Sequence, residues 1–75
     1  MTTSKHTRGA RLREARRQRG LAIWALAVRA HTSPATIVAI ERHGHIPTLD
    51  VRTRLAAALG IPVDAVWPNP PRTTE

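Results

Sequence analysis

Seven cationic side chains, Lys5, Arg8, Arg11, Arg13, Arg16, Arg17 and Arg19, fall within fifteen residues of this 75-residue chain, opposed there only by Glu14. The chemistry such a block supports is neutralisation of phosphate, because each guanidinium presents a planar fork of donors that matches phosphate oxygens. The whole chain carries 12 Lys and Arg against 5 Asp and Glu, a formal charge of +7. A polyanion is therefore the expected partner, either nucleic acid or an anionic membrane surface. The structural alternative is a solvated helix face whose charge serves only solubility.

His43 and His45 follow Arg42 with one residue between them, and His31 and His6 lie elsewhere in the chain. Nitrogen ligands alone, without cysteine or a nearby carboxylate cluster, make a poor metal set. Imidazoles partly protonated beside phosphates are the better reading of this pair. Neither metal nor cofactor is expected. The acids Glu14, Glu41, Asp50, Asp64 and Glu75 are scattered, there is no cysteine and no glycine-rich phosphate loop, so enzyme chemistry is not expected either.

A chain of this length forms one small domain near the lower limit for a core without staples. The absence of cysteine gives no sign of secretion. No apolar run is long enough to span a bilayer or to serve as a signal peptide. The expectation is a soluble cytoplasmic protein associated with the nucleoid, not with a membrane.

The elements that must position the charges centre on residues 23–42, IWALAVRAHTSPATIVAIER. Leu26, Ala27 and Ala30 form one apolar stripe of a helix that stops near His31. Ser33 and Pro34 restart a helix, since the hydroxyl can accept from a free N–H and proline at the first position has no N–H to leave unpaired. His31 and Thr32 remain for the turn, and Ile37 and Ile40 face back toward the first helix. Two helices joined so closely cross steeply, as in a helix-turn-helix.

Before this motif, a first helix is expected from about Gly9 to Gly20, its apolar side limited to Leu12 and Ala15, with Leu21 beyond the cap. After it, Gly44 and Pro47 mark a loop, and Thr48 caps a helix with Asp50 in its first turn and Val51, Leu55, Ala58 and Leu59 inside. Gly60 ends that helix. Pro62 opens a last short one, with Val63, Val66 and Trp67 closing the core.

From Leu12 to Trp67, about three quarters of the chain, the sequence resembles the Cro-like or XRE family, the phage-repressor type of helix-turn-helix domain. The resemblance is carried by ARRQRGL, Leu26-Ala27, Ser33, Ile37, the Ile40-Glu41-Arg42 triplet, Pro47 and LAAALGIPVDAVW. It implies an all-α fold, a compact five-helix bundle of the phage-repressor DNA-binding type. Residues 1–8 are then a basic flexible arm, 9–67 the helix-turn-helix domain with its motif at 23–42, and 68–75 a proline-rich tail.

The resemblance further implies a DNA-binding transcriptional regulator that places helix 33–43 in the major groove of double-stranded DNA. Its recognition positions correspond to Ser33, Pro34, Ala35, Thr36, Val38 and Ala39. Phosphate contacts are expected from Lys5, Arg8, Arg11, Arg16, Arg42, His43 and His45. Arg16 is also expected to pair with Glu41, a bond whose loss from one side costs on the order of 3 kcal/mol if it is buried. A homodimer on a two-fold site follows from the same family, with Trp67 the first candidate for the contact.

Departures from the family pattern are as informative. The usual Ser or Thr and Gln at the start of the first motif helix are here Ala22 and Ile23, and the usual acid after them is Trp24. Ile23 and Trp24 either cover the core edge or form an apolar site for a partner. His31 replaces a turn glycine. Arg52 replaces an aliphatic residue, so its helix is rotated or its stem snorkels. Pro34, Ala35, Val38 and Ala39 have no polar side chain, so direct readout is limited to methyl contacts with thymine. DNA shape and an arginine arm in the minor groove then have to supply selectivity. The competing function is a protein-interaction module that uses the apolar former DNA face, Ile23, Trp24 and Val38, to dock a protein partner.

Overall fold

The structure is a computed structural model and describes the backbone of residues 5–68, with side chains from Gly9 onward. Five helices follow in order: α1 (Lys5–Gln18), α2 (Ile23–Arg29), α3 (Pro34–His43), α4 (Leu49–Leu59) and α5 (Val63–Val66). The expected all-α five-helix architecture is what forms, with no strand among the described residues. No single described helix is long and apolar enough to cross a membrane.

Side chains from all five helices share one core: Leu12 from α1, Leu26 and Ala27 from α2, Ile37 and Ile40 from α3, Leu55 and Leu59 from α4, and Val66 with Trp67 at α5. Six large side chains, Leu12, Leu26, Ile37, Ile40, Leu55 and Val66, are fully buried. Each contributes about 1.5–3 kcal/mol by leaving water, the main stabilising term for so small a domain. Trp67 is only 5% exposed. Its expected role as a dimer contact is therefore corrected: the indole is spent on the core.

Helix α1 starts at Lys5, not near Gly9 as the sequence suggested. Gly9 is a buried residue inside the helix, where α1 lies directly against the end of α3. A Cβ there would stand 2.7 Å from the carbonyl oxygen of Ile40 and would also collide with that of Glu41. The glycine is thus a packing residue that permits close backbone approach rather than a helix start. Residues 1–4 of the expected arm and 69–75 of the expected tail lie outside the described residues.

At the corner between α2 and α3 the chain turns by 119°. The amide of Thr32 donates to Ala27 O at 2.9 Å and that of His31 to Val28 O at 3.2 Å, the paired closure of a Schellman motif. Its left-handed residue is His31, at φ 55°. Ser33 Oγ then accepts from the Thr36 amide at 3.2 Å and Pro34 begins α3. Thr48 caps α4 in the same way through the Val51 amide at 3.3 Å. Arg52 is half-buried and donates from Nε to Pro47 O at 3.1 Å, so its head reaches the loop while its stem lies along the helix.

Candidate nucleic-acid interface

Helix α3 is set by its inner face. Ile37, Ile40 and Glu41 are buried, which leaves Pro34 and Ala35 exposed at the amino end and Arg42 and His43 exposed at the carboxyl end. Val38 and Ala39 are half-buried, so the apolar recognition surface is narrower than the sequence suggested. Ser33 Oγ and Thr36 Oγ1 lie 3.0 Å apart and share a hydrogen bond. One of the two hydroxyl hydrogens is used in that bond, so the pair keeps one O–H that can donate outward. His45 is exposed in the loop beyond the left-handed Gly44 cap.

Glu41 is the buried acid of the site, its side chain 3% exposed. Arg16 meets it with Nε at 2.8 Å and Nη2 at 3.0 Å, a bidentate pair, and gives Nη1 to Leu21 O at 2.8 Å. The hydrogen bond to Glu41 raises the Arg16 pKa above its ordinary value, with the carboxylate charge adding to it and partial desolvation opposing it. The expected ion pair forms. The same geometry uses three of the five guanidinium N–H groups on protein acceptors, so the first use of Arg16 is structural.

Arg13, which the sequence did not single out for phosphate, also stands beside this pair. It is half exposed, at 47%, and its Nε lies 3.7 Å from Glu41 Oε1, on the α3 side of α1. Arg17 follows one turn later and is exposed. Arg11, by contrast, lines a groove of about 570 Å³ between α1 and α5, with Glu14, Ala15, Ile61 and Ala65. Arg11 is exposed there, on a different side of α1 from Arg13. The signal for Arg13 was its i, i+3 spacing to Arg16. The side chains of Lys5 and Arg8 lie outside the described ones.

On α2 the missing cap is real, since Ala22 offers no side-chain hydrogen bond. Ile23 packs half-buried against the edge of the core. Trp24 is 67% exposed, and Val28, one turn on, is exposed beside it. Among the described residues, no three His, Cys, Asp or Glu side chains stand close enough to hold a metal ion.

A bundle with a steep α2–α3 corner, an outward α3 and flanking cations defines the helix-turn-helix class, and residues 9–66 match the family model described as helix-turn-helix domain. The chain belongs to that family, a class of non-enzymatic DNA-binding regulators. Among solved structures it is similar to the restriction-modification controller protein C.AhdI from Aeromonas hydrophila, at 29% sequence identity and a TM-score of 0.77. The match covers 83% of this chain and 94% of that one. No curated protein gives a significant match.

Proposed function

We propose that this protein is a homodimeric transcriptional regulator that lays α3 in the major groove of duplex DNA. The observation that carries the reading is the outward face of α3, exposed at Pro34 and Ala35 and flanked by the cations Arg13, Arg17 and Arg42 and by the imidazoles of His43 and His45. Ser33 and Thr36 contact phosphate or a base edge at the amino end, and Ala35 and Val38 offer methyl surface to thymine. Lys5 and Arg8 join the phosphate set on their charge. The similarity to a restriction-modification controller supports the regulatory side of this reading. Two copies on a two-fold site would read half-sites about one helical turn apart. Such a role places the protein on the nucleoid in the cytoplasm.

Affinity for a duplex measured across a salt series tests the reading. The logarithm of affinity should fall with the logarithm of salt by about 0.9 for each phosphate neutralised. Salt-independent or undetectable duplex binding contradicts it.

Exposure of Trp24 and Val28 favours a second use of the surface, the docking of a protein partner. Under that reading Val38→Glu abolishes partner capture, while Arg42→Ala leaves it nearly intact. The reverse pattern removes it.

A further inference from the structure

Four helix ends in this fold close with a residue in the left-handed region. Three use glycine, Gly20 at φ 64°, Gly44 at 68° and Gly60 at 71°. The fourth, at the corner that presents α3, uses His31 at φ 55°. A side chain with a Cβ is strained in that conformation, so the α2–α3 turn is held less firmly by its own backbone than the other three.

That same turn receives a guanidinium from a distant helix. Arg54 of α4 donates from Nη1 to His31 O at 2.7 Å and more weakly to Ala30 O at 3.4 Å. Its Nη2 donates to Asp50 Oδ2 at 2.9 Å, one turn back on α4. The acceptors belong to the cap residue Ala30 and to His31 just beyond α2, beside the negative end of the helix dipole, where a cation is favoured. Arg54 Nε is buried without a hydrogen-bond partner. The side chain therefore keeps this position despite leaving one donor unsatisfied, which points to the two carbonyls and Asp50 as what holds it there.

We propose that Arg54 is a positioning residue for DNA recognition: it clamps the left-handed turn at His31 where a glycine is missing, and so fixes the angle at which α3 meets the groove. The proposal rests on the DNA-binding reading above. Asp50 orients the clamp, and α2 and α3 keep their crossing because α4 holds the turn from outside. Arg54 does not itself touch DNA.

The test compares wild type, Arg54→Met, His31→Gly and the double variant by two readouts. The first is selectivity, the ratio of affinities for the wild type's preferred duplex and a scrambled duplex, measured where circular dichroism shows every variant fully folded. Arg54→Met should lose about tenfold in selectivity, the scale of a hydrogen bond to a charged group, with scrambled-duplex affinity almost unchanged. His31→Gly, which accepts the turn without strain, should restore most of that loss in the double variant. Unchanged selectivity in folded Arg54→Met, or a loss that His31→Gly does not relieve, overturns the proposal.

Thermal unfolding of the same four proteins is the second readout. Arg54→Met should lower the midpoint less in the His31→Gly background than in wild type, whereas equal drops mean that the two residues are uncoupled and overturn the clamp. If wild type shows no duplex selectivity at all, the DNA-binding reading fails, and this cycle still decides whether Arg54 holds the turn.

Discussion

Arg16 and Glu41 are joined by two hydrogen bonds, at 2.8 and 3.0 Å, that tie the last turn of α1 to the carboxyl half of α3. The third guanidinium nitrogen holds Leu21 O, so one side chain links the first helix, the recognition helix and the entry to α2. Orientation of α3 therefore depends on a charge pair as well as on the apolar core.

Removing one partner of that pair leaves the other charge buried alone. Glu41→Ala should cost about 3–5 kcal/mol in denaturant unfolding. Arg16→Met combined with Glu41→Leu should cost much less, because no charge is then stranded. A single substitution costing under about 1 kcal/mol would show that the pair contributes no more than an exposed ion pair does.

Gly9→Ala is expected to be severe for a helix-interior glycine, where alanine is ordinarily stabilising. The added methyl meets the carbonyl oxygens of Ile40 and Glu41, backbone atoms that cannot rotate away. Loss of about 1–3 kcal/mol in chemical unfolding is the expected result. A stabilised variant contradicts the close approach of α1 and α3.

Arginines on opposite sides of α1 should behave differently toward DNA. Arg13→Gln should reduce the salt slope of duplex binding by roughly 0.9, the value of one phosphate contact. Arg11→Gln should leave the slope unchanged, since Arg11 faces the groove with α5. Equal effects from the two would mean that only bulk charge matters.

The two tryptophans give separate signals. Trp24 is exposed and should be quenched readily by iodide, while Trp67 should be protected. Trp24→Ala should change stability by no more than about 0.5 kcal/mol, and Trp67→Ala should cost about 3–5 kcal/mol. Comparable destabilisation by both would contradict the assignment of Trp67 to the core and Trp24 to the surface.

What the sequence made legible is the local chemistry. Ser33 with Pro34, Thr48, and the glycines at 20, 44 and 60 act through neighbours a few residues away, so their caps and turns are readable in the chain itself. The Arg16–Glu41 pair was legible only through the family resemblance, since 25 residues separate the partners. The direction of α1 was not legible. Its apolar side is so thin that nothing distinguished Arg11 from Arg13, although two residues rotate a side chain by about 200°.

Other features depend on packing between distant segments. Gly9 looked like a helix boundary because its neighbours in sequence give no sign of Ile40 and Glu41. Trp67 looked equally suited to the core and to a dimer surface, and only the meeting of α5 with the rest of the core decides it. The hydrogen bonds of Arg54 to the α2 turn span 23 and 24 residues and have no local signature.

Selection from a random duplex library at two salt concentrations tests the central claim most directly, with tryptophan fluorescence reporting that the protein is folded. The expected result is an enriched two-fold sequence, its half-sites about one helical turn apart, that survives the higher salt. Thymine should be enriched where Ala35 and Val38 meet the groove. Loss of all binding at the higher salt, with no enriched sequence, would reduce the interaction to phosphate attraction alone and contradict a regulator that reads DNA through α3.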